Sequence, residues 1–217
     1  MPIRAIFPFL RVFFHLLYHQ FAWTYDFVSG LVSIGMWNDW IKSILPDVNG
    51  QRVLELGHGP GHLQIALLQE GKEVVGIDLS PQMGKICRRR ILKAKMQPEL
   101  VNGSAQQLPF PDDVFDHIIS TFPTEYIVAE NTISEMHRVL RPGGVFLILP
   151  AAWITGRTIL HKAAAWLFKV TGQAPNIEKD IYMNELKRFN QAGFKTCIET
   201  KELKNSRVMI TAGEKTI

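Results

Sequence analysis

Short apolar runs alternate with helix-length mixed segments through the middle of this chain. Arg52–Leu56, Glu73–Ile77, Glu99–Asn102, Asp116–Ser120 and Val145–Leu149 read as strands. The first of them leads into a helix from about Gly61 to Gln69, which Gly71 ends. Ser80-Pro81 supplies a capping hydroxyl and a first-turn proline for the next helix. Strands that are apolar almost throughout are buried on both faces. The alternation therefore predicts an α/β domain whose mainly parallel sheet carries helices on both sides, with ligands meeting the carboxyl ends of the strands. Arg88-Arg-Arg90 reads as a solvated helix face.

The flanks have a different pattern. In Ile3–Phe21, Arg4, Arg11, His15 and Tyr18 recur at helical spacing opposite an apolar surface that includes Ile6, Leu10, Phe14 and Leu17. Arg11, His15 and His19 interrupt the apolar run well short of the ~20 residues that a membrane span needs. The segment also lacks the small-residue cleavage site of a signal peptide. Two readings fit it: an amphipathic helix lying in a membrane interface, or a helix packed on the domain or on a second subunit. Trp23–Trp40 reads as a further helix or helix pair ending before Pro46, so residues 1–46 form an N-terminal unit ahead of a domain at 47–217. An apolar helical insertion rich in Ala, Leu, Trp and Phe is expected at about 151–176. It could be a substrate lid, a second membrane contact or simply an extra packing helix.

Chemistry enters at Glu55-Leu-Gly57-His-Gly59-Pro-Gly61. Glycines let the chain turn sharply between strand and helix and come close to a ligand. Asp78, at the tip of the second strand, is placed to accept hydrogen bonds from ribose hydroxyls. The spacing E-x-G-x-G-x-G differs from the dinucleotide fingerprint G-x-G-x-x-G. Glu55 would repel a pyrophosphate but suits a ligand bearing an ammonium and a sulfonium. That favours S-adenosylmethionine over NAD.

Two further strings carry a resemblance. Leu108-Pro-Phe-Pro-Asp-Asp-Val-Phe-Asp116 follows the third strand, and Arg138-Val-Leu-Arg-Pro-Gly-Gly144 precedes the fifth. With the glycine turn, they make residues from roughly Gln51 to Pro150 resemble the class I S-adenosylmethionine-dependent methyltransferases. The resemblance implies a Rossmann-like, seven-stranded sheet closed by an antiparallel pair, here Ala192-Gly-Phe-Lys and Ser206-Arg-Val-Met-Ile-Thr-Ala. It implies that Glu55, Gly57, Gly59 and Gly61 line the methionine and ribose portion of the cofactor, that Asp78 holds the ribose and that Leu79 abuts the adenine. Ser104 stands where the family commonly carries an acid for the adenine amino group, with Ala105 beside it, and Thr121 follows the fourth strand at the cofactor mouth. The pattern Tyr25-Asp-x-x-Ser-x-x-x-Ser-x-Gly-x-x-x-x-Trp40 is similar to the segment preceding the core of quinone-biosynthesis C-methyltransferases. It also resembles bacterial phosphatidylethanolamine N-methyltransferases. By that likeness it caps the cofactor site and places Tyr25 near it.

Tyr25, His58 and Tyr126 are the candidate catalytic residues, with His62 more simply a helix-packing residue. Imidazole suits proton transfer near neutral pH. Aromatics expected near the mouth (Trp23, Tyr25, Trp37, Tyr126, Trp153) could hold a methylated ammonium by cation–π attraction.

Composition narrows the partners. The 217 residues, 47% hydrophobic, fill one domain with little left for a second. Cys87 and Cys197 suggest reduced thiols in a cytoplasmic protein, and no metal-ligand spacing occurs. The net charge of +4 hides two cationic, apolar stretches. The first acid is Asp26, and residues 151–176 carry Arg157, Lys162 and Lys169 but no acid. Without a dense basic run or an RNA-binding signature, no nucleic-acid partner is expected and an anionic membrane surface fits better. The expectation is a cytoplasmic methyltransferase, peripheral on the inner face of the membrane, acting on a phospholipid amine or an isoprenoid quinol. Its alternatives are a soluble small-molecule methyltransferase with the N-terminal helix as lid or dimer contact, and an inactive cofactor-binding protein. Monomer and dimer both fit.

Overall fold

The computed structural model describes residues 33, 35–156, 158, 159, 161, 164 and 179–216. Seven strands form one sheet: β1 Arg52–Leu56, β2 Glu73–Asp78, β3 Glu99–Asn102, β4 Phe115–Thr121, β5 Leu140–Ile154, β6 Phe194–Leu203 and β7 Ser206–Lys215. Their order is β3-β2-β1-β4-β5-β7-β6. β1 to β5 run parallel, and β7 lies antiparallel between β5 and β6. The helices are α1 Trp37–Lys42, α2 His62–Gln69, α3 Pro81–Lys93, α4 Glu130–Val139 and α5 Lys179–Gln191. The seven-stranded, mainly parallel sheet with a closing antiparallel pair is the architecture expected from the sequence.

Successive strand residues feed two separate cores. Val53, Val74, Ile119 and Leu147 meet Leu63 and Leu67 of α2, with Trp40 of α1. Leu54, Val75, Ile118 and Phe146 meet Ile133 and Met136 of α4, with Phe189 of α5. This is why the strands carry no polar alternation: both faces are covered.

The two strings downstream of the glycine turn are joined by one side chain. Arg138 of α4 donates to the carbonyls of Leu108 (2.9 Å) and Phe110 (2.7 Å) and to Asp112 (2.8 Å). Glu135, which pairs with Arg138 at 2.7 Å, also accepts from the Leu108 amide at 2.6 Å. Phe115 is fully buried, edge-on to Phe110. Asp116 accepts from the Gln51 and Arg52 amides and from Arg141. These residues hold the β3–β4 loop against α4 and fix the entry to β1; their work is structural.

The structure departs from the sequence reading in three places. β5 runs well past Leu149 to Ile154, because Ser206–Met209 of β7 offers a partner for residues 151–154. Pro150, with no N–H to donate, falls where the register shifts between Ile148 and Ala151. The start of the expected helical insertion is therefore strand, and most of its remainder lies outside the described residues. So do Ile3–Phe21, Trp23 and Tyr25. Finally, Arg90 is no part of a solvated face: it donates to the Pro60 carbonyl (2.8 Å) and sits 2.9 Å from Nε2 of His62.

α1 is fastened to this domain through Trp40, which is fully buried against β-sheet residues. Lys201 of β6 reaches back to Asp47 (2.6 Å) and to the Ser43 carbonyl (3.2 Å). Truncating Trp40 would leave a large cavity, so Trp40→Ala should lower unfolding stability by about 3–5 kcal/mol. Urea denaturation would measure it, and a loss under ~1 kcal/mol would mean that α1 is not integral to the fold.

Candidate active site

The chain reverses its strand order between β1 and β4, and a ligand crevice is expected at that point. β1 ends at Leu56, and Gly57, Gly59 and Gly61 follow with φ of 71°, 51° and 85°. Each is in the left-handed region, where a side chain costs energy. Their surroundings differ. A Cβ on Gly57 would sit 2.5 Å from the Tyr126 hydroxyl, and one on Gly61 would sit 2.3 Å from Cys87 Sγ. Among the described residues, a Cβ on Gly59 would meet nothing within 4 Å. Gly61 thus lets α3 approach α2, whereas Gly59 leaves room for a ligand.

Asp78 ties this turn to the end of β2. One carboxylate oxygen accepts from the Gly59 amide (2.9 Å), the other from the Ser80 amide (2.8 Å). Each oxygen keeps a second lone pair for a further donor. Ser80 then caps α3, accepting from the Met83 amide, with Pro81 at the first helical position.

A cavity of about 490 Å³ opens over these groups. Glu55, Gly57, His58, Gly59, Asp78, Leu79, Ser104, Ala105, Thr121 and Tyr126 line it, as do His62, Trp37 and Phe122. Gly61 is not on its wall, and neither is Trp153 of β5, the register partner of Arg207 on β7. Leu79 is 71% exposed, an apolar side chain presented at the rim. Among the described residues no cluster of three or more His, Cys, Asp or Glu side chains is placed to hold a metal.

Glu55 lies at the bottom, 2% exposed, accepting from Gln64 Nε2 of α2 at 2.7 Å. Burial pushes its carboxyl up to about 8, against the pull of the Gln64 bond and with a contribution from the Asp78 charge. β2 makes room for this pair: Gly76 is the register partner of Glu55, and a Cβ there would come within 2.9 Å of Gln64 and 3.0 Å of the His58 ring. His58, 4% exposed, has Nδ1 2.7 Å from the Gly59 carbonyl, so Nδ1 donates. Burial holds its pKa below the ordinary imidazole value, although the Asp78 charge works the other way.

The candidate catalytic residues are not gathered at one point. His58 rests on the β2 side of β1, against Gly76. Tyr126 rests on the β4 side, its hydroxyl 3.2 Å from the Leu56 carbonyl and 3.1 Å from Ser120 Oγ, which itself donates to Leu56. Tyr25 lies outside the described residues. In the sequence Gln64, the partner of Glu55, reads as an ordinary helical residue. Phe122 gives no signal there beyond its place in Thr121-Phe-Pro-Thr, between a strand end and a proline.

Phe122 has φ 49°, a conformation that costs a bulky L-residue about 1–3 kcal/mol. Its amide donates to the Leu149 carbonyl at 2.7 Å, and its ring stacks on Trp37 with centroids 4.5 Å apart and planes at 26°. Trp40 stands behind, tilted at 6.1 Å from both rings.

The donor set fits S-adenosylmethionine. Two acids line a mainly apolar cavity, the backbone at Gly59 adjoins Asp78, and Leu79 offers an exposed apolar side chain at the rim. A methyltransferase-domain profile matches residues 53–144. An uncharacterised methyltransferase of Synechocystis is 32% identical over 161 residues, 69% of this chain and 68% of that protein. A demethylmenaquinone methyltransferase of Symbiobacterium thermophilum is 31% identical over 146 residues, 63% of this chain. The chain spans 58% of that relative's length. Among solved structures, a Methanococcus maripaludis protein assigned to the S-adenosylmethionine-dependent methyltransferases superposes with a TM-score of 0.67 at 20% identity, covering 90% of this chain and 92% of its own.

Glu55 carries a measurable signature. Its ordinary value is 4.5, so between pH 4.5 and 8 the folded protein retains a proton that the unfolded chain has lost. Its contribution to stability therefore falls as pH rises through that window and levels off above about 8. Glu55→Gln should gain stability relative to the parent as pH is raised from 5 to 8, by at least about 1 kcal/mol or roughly 2–4 °C in Tm. Equal Tm differences at both pH values would show that Glu55 is ionised in the fold. The glycine turn, the Asp78 bracket and the sequence likeness together place the chain in the class I S-adenosylmethionine-dependent methyltransferases.

Proposed function

We propose that this protein transfers a methyl group from S-adenosylmethionine to a ring carbon of an isoprenoid quinol. The observation that carries this reading is the cavity itself: one crevice in which a cofactor-type glycine turn and two acids adjoin a wall of aromatic rings. The name of the Symbiobacterium relative, a demethylmenaquinone methyltransferase, supports the acceptor class.

When bound, S-adenosylmethionine supplies a methyl carbon on a sulfonium: the new C–C bond forms as the C–S bond breaks, and sulfur keeps the electron pair. The chain's task is to align and to exclude water, because the displacement is in line. Asp78 would accept from the ribose diol through its remaining lone pairs. Glu55, once ionised, would hold the ammonium, and the proton it releases would make cofactor affinity rise with pH toward about 8. Leu79 would cover the adenine, with Ser104 and Ala105 at its edge. The acceptor enters from the side of Trp37, Thr121, Phe122 and Tyr126. An acceptor carbon becomes nucleophilic once a ring hydroxyl has lost its proton, and after transfer the same carbon sheds its own proton. His58 is neutral at physiological pH and able to take a proton, but its contact with Gly76 makes it first a support of the glycine turn.

Contact with a membrane surface belongs to the same reading, since an isoprenoid quinol resides in lipid. It draws on the cationic, apolar segments at residues 1–24 and 151–176. No described helix is long and apolar enough to cross a membrane.

Lipid extracts from cells expressing the protein should contain quinones heavier by one methyl group, detected by mass spectrometry. Asp78→Ala should abolish that product and weaken S-adenosylhomocysteine binding at least ten-fold, the loss expected for a charged acceptor of ~1.5–3 kcal/mol. Methylated aminophospholipids with unchanged quinones would overturn the acceptor. Unchanged cofactor affinity in Asp78→Ala would overturn the site.

A further inference from the structure

The aromatic wall of the cavity discriminates between acceptor classes, and this inference rests on the quinol reading above. Phe122 and Trp37 both line the cavity, and they are stacked on one another rather than set face to face across a gap. Rings 4.5 Å apart at 26° leave no space between them for a cation. A methylammonium cage needs several ring faces converging on one point. A stacked pair instead extends a flat surface, which suits another planar ring in offset stacking.

The backbone at Phe122 points the same way. A phenylalanine at φ 49° is held off its preferred conformation, and the restraints are visible: the amide bond to Leu149, Pro123 following, and the stack on Trp37 with fully buried Trp40 behind. Glycine would take this conformation without strain. Strain kept at a cavity wall marks a side chain whose placement is used. Thr121, one residue earlier, closes β4, so the ring stands at the carboxyl end of the strand next to β1, across from the Gly57–Gly59 turn.

We infer that Phe122, backed by Trp37, is the stacking platform for the aromatic ring of the acceptor and selects planar-ring acceptors over amines. It acts by positioning: it orients the acceptor ring toward the methyl group and takes no part in proton transfer.

The test is binding of 1,4-dihydroxynaphthalene under nitrogen to the full chain saturated with S-adenosylhomocysteine, read by calorimetry, with choline as the comparison ligand. The wild type should bind the naphthalene diol. Phe122→Leu should weaken it at least ten-fold, Phe122→Tyr should restore it, and S-adenosylhomocysteine affinity should stay within two-fold in both. Retained S-adenosylhomocysteine affinity shows that the leucine variant is folded; should it fold poorly, Phe122→Met keeps most of the apolar volume packed against the core while removing the ring face, and it should still lose the diol. Equal diol affinity in wild type and either ring-less variant would overturn the inference. So would choline binding that depends on Phe122. A diol that binds through Phe122 while no quinone is methylated in cells would sustain the platform and sink the proposed reaction. Methylated quinones with a Phe122-independent diol would do the reverse.

Discussion

The Asp78 carboxylate is the bond on which the cavity depends. Its two oxygens accept from amides on either side of the crevice, Gly59 in the turn after β1 and Ser80 at the start of α3. Three left-handed glycines at alternate positions would otherwise leave that turn with little to define its path. A charged acceptor bound to backbone N–H groups is stronger than a neutral one, so a single side chain can fix both segments. Asn102, one strand further out, donates to the Asp78 and Leu79 carbonyls and extends the same bracket to β3. The cofactor side is therefore organised before any ligand arrives.

Beneath that bracket the site is less polar than its acids suggest. Glu55 is closed in between β1, β2 and α2, and the residues that allow it are small: Gly76 beside Gln64, and Gly61 against Cys87. Cys87 has its thiol pushed up to about 12, chiefly by burial and then by the nearby Glu55 and Asp78 charges. It packs there as an apolar group. A carboxyl so enclosed is a poor anion until a cation joins it, and in the proposed function that would couple cofactor capture to proton release. The aromatic wall follows other rules. Trp37, Phe122 and Tyr126 come from segments before β1 and after β4, and they line one cavity because β4 lies next to β1 in the sheet.

Much of this was legible along the chain. β1, β2, β4 and β5 are legible because each is a short apolar run bounded by glycine, proline or a charged stretch, with both faces covered in the sheet; β3, an edge strand with no fully buried residue, is legible only from its Leu100-Val101 pair. The glycine turn is legible because a sharp strand-to-helix turn needs glycine; Asp78 is legible as the acid at the tip of the next strand, but its bonds to the Gly59 and Ser80 amides are not. The family-like strings were also legible as strings. What they do, with Arg138 drawing the Leu108–Asp112 loop onto α4, was not, because a guanidinium that spans five backbone and carboxylate partners leaves no periodic trace.

By itself, then, the sequence determined the fold class, the cofactor turn and the acid that completes it. Local backbone geometry and burial period dictate these, and both are written residue by residue. Only the tertiary structure decided the rest. It carried β5 past Pro150, since a strand's length depends on what pairs with it. It put His58 and Tyr126 on opposite sides of β1, and it took Gly61 off the cavity wall. It also set Phe122, an unremarked residue before a proline, into a strained stack on Trp37. Each outcome depends on which distant segments become neighbours, and the order of the strands in the sheet settles that.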